Sequence, residues 1–325
     1  MTISRRRLLH LGVGATSGLF FAPAAWADAY PERPIRIIVG FPPGGVADLI
    51  ARLMGEWLSR QLAQPVIVEN RPGAAGNLGT ELVVRAPADG YTLLFATSTN
   101  AINAALYDRL SFNFVRDVTP VAEVTRNPFL LLLHPSIPAK TGPELIAHAK
   151  ANPGKLAMGS AGSGTPHHLF GELFNKMAGI EMLHVPYRGE APALTDLIAG
   201  HVQVMFTTAG PALDYCRSGT LRLLAVTSAA HLESWPEIPS VGEFVPGYEA
   251  SGWFGIAAPR NTPADIVENL NKEINSALAD PAIKARLAGL TVSGSPGSPT
   301  EFANLIAADT KKWAAVIHSA NITPQ

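Results

Sequence analysis

The sequence predicts an α/β protein built as two lobes, with largely parallel sheets covered by helices on both faces and more than one chain crossing between the lobes. Three observations carry this reading. Short β-rich runs alternate with amphipathic helical patterns. The alternation runs from residue 35 to about 97 and restarts after Pro135. A late strand pattern at 253–259 and closing helices then follow a Pro/Gly-rich loop, so the chain crosses between lobes more than once.

Taken in order, 35–41 (IRIIVGF) reads as a strand and 46–62 as a helix, whose Leu49, Ile50, Leu53, Met54, Trp57 and Leu58 recur at three- and four-residue spacing. Residues 66–70, 91–97 and 128–134 are further strands. A helix covers 77–86, and Asp89-Gly90 supplies the turn before Tyr91. Beyond Pro135 come a helix at 142–151, a strand at 155–159 and a helix at 165–178. Strands at 182–185, 202–206 and 221–227 enclose helices near 191–199 and 211–217. After Ser228 a stretch rich in Pro, Gly and Glu reads as a loop. Helices at 263–279, 281–288 and 299–319 close the chain, and no internal repeat is evident.

The 325 residues suffice for one large domain or two ordinary ones, and 47% hydrophobic with 16% charged residues fits a substantial core. No run of eighteen apolar residues reads as a membrane span. Residues 1–27 read as a signal peptide: Arg5, Arg6 and Arg7 precede a moderately apolar segment and the small residues of Ala25-Trp26-Ala27. Ser4-Arg5-Arg6 also fits a twin-arginine export signal, with an ordinary secretory signal as the alternative; either implies the periplasm, with cleavage after Ala27. Cleavage removes three of the 25 basic residues and none of the 26 acidic ones, leaving 22 against 26, a net charge of −4. That argues against a nucleic-acid partner, which would want a basic surface. The single cysteine, Cys216, leaves no internal disulfide. Residues 28–128 with 252–325 are assigned to lobe I, and 129–251 to lobe II.

Two strand–glycine–helix junctions carry the functional reading. One lies in KLAMGSAGSGTPHHLFGELFNKM (155–177), the other in VGFPPGGVADL (39–49). Small residues let backbone N–H groups approach a ligand, and a helix start favours an anion. In a parallel sheet ligands bind beyond the carboxyl ends of strands, so two such loops can face each other across a cleft. The alternative is a pair of tight turns. Neither loop has a dinucleotide or P-loop fingerprint. Ser160 and Ser163 lack the preceding glycine of a nucleophile elbow. Adjacent His167 and His168 point about 100° apart on a helix, which argues against one shared metal ion. His168 suits hydrogen bonding at the helix start, to the loop or to a ligand. Asp48 either orders its loop or reads a ligand's polar end. No metal or cofactor is expected. The expectation is that 160–165 holds a carboxylate, with Gly162 and Gly164 small to leave room for its oxygens, while 41–48 takes the other end.

Several stretches together resemble the Bug family: YPERPIRIIVGFPPGGVADLIAR, VIVENRPGAAGNLGTELVVRAPADGYTLL, GSAGSGTPHHL, HVPYRGEAPALTDLIAGHVQVMF, GTLRLLAVTS and WFGIAAPRNTP. These are the extracytoplasmic receptors of tripartite tricarboxylate transporters, and the resemblance covers essentially the whole mature chain. It implies a type II periplasmic-binding-protein (Venus flytrap) fold, with two lobes, a hinge of crossing strands, a small carboxylate ligand and delivery to membrane permease subunits. It places ligand contacts at Phe41, Gly44, Gly45 and Asp48, and at Ser160, Gly162, Gly164, Thr165 and His168. Ser98, Asn100, Tyr187 and Arg188 are added near the cleft. A monomer is expected. Pro43 stands where alanine is usual, removing an N–H donor. FTTAGP (206–211) also departs from the pattern and is a candidate pocket wall. The family's ligands span amino acids, di- and tricarboxylates and aromatic acids. The rival readings are a ligand sensor without transport, and an exported hydrolase using Ser160, His168 and Asp48.

Overall fold

The structure is a computed structural model; it describes residues 30–107, 109–229, 231 and 235–324, and the expected signal peptide lies outside them. The first half of the chain forms β1 (Ile35–Val39), α1 (Val46–Gln61), β2 (Val66–Asn70), α2 (Asn77–Val84), β3 (Thr92–Thr97) and α3 (Ser98–Leu106). β1 pairs in parallel with both β2 and β3. Ile37, Val39, Leu93 and Phe95 are buried against Ile50, Leu53, Met54 and Leu58 of α1, so these members of the expected stripe face the sheet, while Trp57 is half-buried at its margin and Leu49 is exposed.

A short helix, α4 (Phe114–Asp117), leads into β4 (Val118–Leu133), a 16-residue strand of which the sequence reading had only the last part. Pro120 hid the first half. It sits where the pairing register shifts, a bulge being one of the few sheet positions that tolerates proline. The reading also missed α3, whose STNAIN start has weak helix propensity.

The second half continues with α5 (Gly142–Ala151), β5 (Ala157–Ser160), α6 (Pro166–Ala178), β6 (Leu183–Pro186), α7 (Glu190–Ile198), β7 (Val204–Thr208), α8 (Ala209–Arg217) and β8 (Arg222–Val226). β5 runs parallel to β6 and β7. Then come β9 (Ser251–Pro259), α9 (Ala264–Ala279), α10 (Pro281–Gly289), β10 (Ser293–Gly294) and α11 (Pro299–Ser319).

β4 joins the two strand groups. Its first part, Val118 to Pro128, pairs antiparallel with β9, which also pairs with β3. Its second part, Phe129 to Leu133, pairs with β7 and β8. One curled sheet thus holds two parallel units, linked through the antiparallel strands β4 and β9. Two helices pack into both units. α11 places Phe302 and Ile306 beside Trp253, and Trp313 stacks on Phe170 of α6 at 5.1 Å. α3 places Ala101 in the first unit's core and Ile102 and Leu106 in the second's. Among the described residues, no helix is long and apolar enough to cross a membrane.

Candidate functional site

Phe129 marks where the two units meet. A Cβ on Gly252 of β9 would lie 3.3 Å from the Phe129 ring and 3.7 Å from Ser98 Oγ, at the start of α3. Phe129 also meets the His167 ring edge-on at 5.0 Å. The carboxyl ends of β3 and β5 therefore approach each other across the β4–β9 crossing, where a parallel sheet presents ligand sites.

Several helices that follow parallel strands, α1, α6, α7 and α8, begin without a side-chain cap, whereas α3 has a capping box formed by Thr97 and Asn100, and α5, α10 and α11 are capped by Thr141, Asp280 and Ser298. Uncapped first-turn N–H groups attract an anion. In loop 41–48 the N–H groups of Gly45, Val46 and Ala47 have no acceptor among the described residues. In loop 160–165 and the first turn of α6 the same holds for Ala161, Ser163 and His167.

Asp48 organises the first loop. Its carboxylate, 2% exposed, accepts from Gly44 N (2.9 Å), Arg52 Nε (3.0 Å) and Asn70 Nδ2 (2.9 Å). Burial alone would raise its pKa, but the bonds from Arg52, Gly44 and Asn70 outweigh that and hold it below the usual value. Asn70 also donates to the carbonyl of Phe41 at 3.0 Å. The Phe41 ring lies against Gly76, in a third loop that the site reading did not single out. There Gly73, Ala74, Ala75 and Gly76 all have positive φ, a strained arrangement for the two alanines. The run of small residues in PGAAG was its signal.

The second loop is tied together from within. Ser160 Oγ lies 2.6 Å from His184 Nε2 and accepts from Gly162 N at 3.2 Å. Gly164 N donates to His168 Nδ1 (3.2 Å), and the Thr165 hydroxyl donates to the Gly162 carbonyl (2.7 Å). His168 therefore serves the loop. It stacks on His184 with centroids 3.5 Å apart, and both rings open into a depression of about 280 Å³ bounded by Ala320, Asn321, Ile322 and Thr323. It is His167 that meets Phe129. Burial, and then the neighbouring His168, push the His184 pKa down to about 4.

The steric reason expected for the two glycines is corrected. A Cβ on Gly164 would meet Leu106 Cδ2 of α3 at 2.2 Å, and one on Gly162 the Tyr187 carbonyl oxygen at 3.2 Å. Both have positive φ, +74° and +129°. Glycine is required by protein neighbours and backbone geometry, whatever the ligand.

The outlying candidates separate. Ser98 is buried and its hydroxyl has no partner among the described residues. The Asn100 side chain is engaged internally, accepting from Thr97 N (2.7 Å) and donating to Thr80 Oγ1 (2.8 Å). The Tyr187 hydroxyl is turned to Asp196 of α7 at 2.7 Å, and Arg188 is exposed with no ion-pair partner among the described residues.

One charged group at the crossing was not anticipated. Glu190, the first residue of α7, accepts at Oε1 from the hydroxyl of Thr207 and from Thr208 N and Oγ1 at 2.9 and 2.7 Å, with His167 Nε2 at 3.4 Å. Burial would raise its pKa, but contacts with His167, Thr207 and Thr208 prevail and bring it to about 2. Gly189-Glu190 follows β6 just as the two glycine loops follow β1 and β5, so the rule that found those loops applies here too.

Two parallel α/β units bridged by antiparallel strands, with uncapped helix starts at the junction, define the class: a periplasmic solute-binding protein fold. Solved structures agree. R. palustris Rpa4515, solved with adipate, is 34% identical with a TM-score of 0.79, covering 91% of this chain and 100% of that one. MatC from Rhodopseudomonas palustris, solved with bound malate, is 29% identical with a TM-score of 0.75, covering 89% and 100%. The BugT protein of Bordetella pertussis is 35% identical over 315 residues, 96% of each chain. Residues 50–322 match the tripartite tricarboxylate transporter family receptor, and the chain belongs to that family. Its members here are solute-binding receptors.

Proposed function

We propose that this chain is an extracytoplasmic receptor that captures a small carboxylate between loops 41–48 and 160–165 and delivers it to the membrane subunits of a tripartite transporter. The observation that carries the reading is the pair of uncapped helix starts with free N–H groups, α1 after β1 and α6 after β5, the second of which sets His167 against Phe129 where the two units meet. Hydrogen bonds to a charged group contribute roughly 1.5–3 kcal/mol each and a helix end about 0.3–1 kcal/mol. Three or four such contacts, after association costs, support about −8 kcal/mol, a micromolar Kd. Binding of adipate and malate by the two structural relatives supports the ligand class.

In this reading the ligand contacts are the free N–H groups of the two loops, those of Gly45, Val46 and Ala47 and those of Ala161, Ser163 and His167, with Gly44, Ser160, Gly162, Gly164 and Thr165 shaping the loops and Ser98 and Phe41 as walls. Asp48 and His168 order the loops that make those contacts. Residues 28–128 with 252–325 form one lobe and 129–251 the other, hinged at β4 and β9. The receptor acts as a monomer without cofactor or catalytic step. Its N-terminal 27 residues direct export by the twin-arginine route and are removed after Ala27. The test is a thermal-shift screen of mono-, di- and tricarboxylates on residues 28–325, followed by calorimetry. Saturable binding of a carboxylate at micromolar Kd is expected; a screen in which none stabilises the protein overturns the reading.

A further inference from the structure

The Glu190 carboxylate stands where three helices begin. It is the first residue of α7, accepts from the N–H of Thr208 that precedes α8, and lies beside His167 in the first turn of α6. Three positive helix ends converging on one point would otherwise form an anion site. Here the protein fills that place with its own negative charge. All the contacts fall on Oε1; Oε2 has no partner among the described residues, and 23% of the side chain stays exposed. The surroundings add unanswered polarity, for His167 Nδ1 has no partner among the described residues and Nε2 meets only Glu190 Oε1 at the long distance of 3.4 Å. Phe129 supplies an apolar wall against that ring.

We infer that Glu190 is a specificity-determining residue: it rejects a second carboxylate and accepts, at Oε2, a hydrogen-bond donor from the far end of the ligand. The inference rests on the carboxylate-receptor reading and fixes the ligand's direction within it. The ligand carboxylate goes to the free N–H groups of Gly45, Val46 and Ala47 at the start of α1, and the donor end goes to the 160–165 side. This reverses the orientation expected from the sequence, because a ligand carboxylate beside α6 would face a buried carboxylate. Two close carboxylates cannot both stay ionised without a large penalty, whereas an ammonium gains a charge-assisted bond. The preferred ligand class is therefore a monocarboxylate with an ammonium at its distal end, selected as much by repulsion of the dianion as by attraction.

Calorimetry at pH 7.5 on residues 28–325 with matched pairs tests this: succinate against 4-aminobutanoate, glutarate against 5-aminopentanoate, adipate against 6-aminohexanoate. The wild type should bind the best amino acid at least about tenfold more tightly than its dicarboxylate partner. Glu190→Gln, checked by circular dichroism and melting for a native fold, should lose that preference by weakening the amino acid and strengthening the dianion. A wild type that binds the dicarboxylates as tightly as the amino acids, or tighter, overturns the inference while leaving the carboxylate reading intact. That comparison needs no variant, so a poorly folding Glu190→Gln does not disable it. An unchanged preference in folded Glu190→Gln also overturns it. Absence of binding by both series and by simple monocarboxylates overturns the receptor reading and this inference together.

Discussion

Replacing Asp48 by asparagine separates the two roles its position allows. The carboxylate has two bonds on Oδ2, from Gly44 N and Arg52 Nε, and on Oδ1 the bond from Asn70 and the ion pair with Arg52 at 2.9 Å. An amide keeps one acceptor oxygen and puts an NH2 against the other pair of donors, so two charge-assisted contacts are lost whichever way it turns. Each is worth roughly 1.5–3 kcal/mol when fully sequestered. Arg52 is half exposed and recovers water, which brings the net loss to about 2–3 kcal/mol. For a chain of this size that is a fall in melting temperature of roughly 3–5 °C. Gly44 N is released and loop 41–48 loosens, so carboxylate affinity should fall about tenfold. Differential scanning calorimetry and titration of the same sample read both. A melting temperature equal to the parent's with binding abolished would refute the reasoning, because Asp48 would then act on the ligand and not on the loop.

Gly164→Ala places a methyl group in Leu106 and forces a left-handed residue; it should destabilise by about 2–4 kcal/mol even without ligand, and an unchanged unfolding midpoint in urea would contradict that. His184 has its pKa lowered from 6.5 to about 4, so between those values the unfolded chain takes up a proton that the folded chain refuses. Stability should therefore fall as pH drops from 6.5 to 4, more steeply in the wild type than in His184→Gln; equal slopes would remove His184 as the cause. Changing Arg5, Arg6 and Arg7 together to lysine should block export by the twin-arginine route, and normal periplasmic accumulation of that variant would favour the ordinary secretory route.

Much of the architecture was legible because period and punctuation agree. In 46–62 most of the apolar stripe faces β1 and β3, and glycine-rich junctions mark the ends of β1 and β5. The first half of β4 was not legible, since Pro120 reads locally as a break and only the pairing with β9 shows the bulge that accommodates it. At the site, spacing located the loops but not the direction of their side chains. His167 and His168 are neighbours in sequence, yet one meets Phe129 and the other stacks on His184, a partner 16 residues away on strand β6. The direction of the Tyr187 hydroxyl was hidden for the same reason: its bond to Asp196, nine residues on in α7, decides it and does not show in a motif. Glu190 was missed because its partners, Thr207 and Thr208, come from β7 and meet it only through the parallel packing of β5, β6 and β7.

The central claim is that the ligand lies at the β4–β9 crossing, held by backbone N–H groups of uncapped helix starts. A crystal structure of residues 28–325 with the tightest-binding carboxylate tests it most directly. The account predicts ligand density beside Phe129 and Ser98, with carboxylate oxygens roughly 3 Å from N–H groups at the start of α1 or α6. Density in the depression between His168, His184 and Ile322, with the crossing empty, would contradict it.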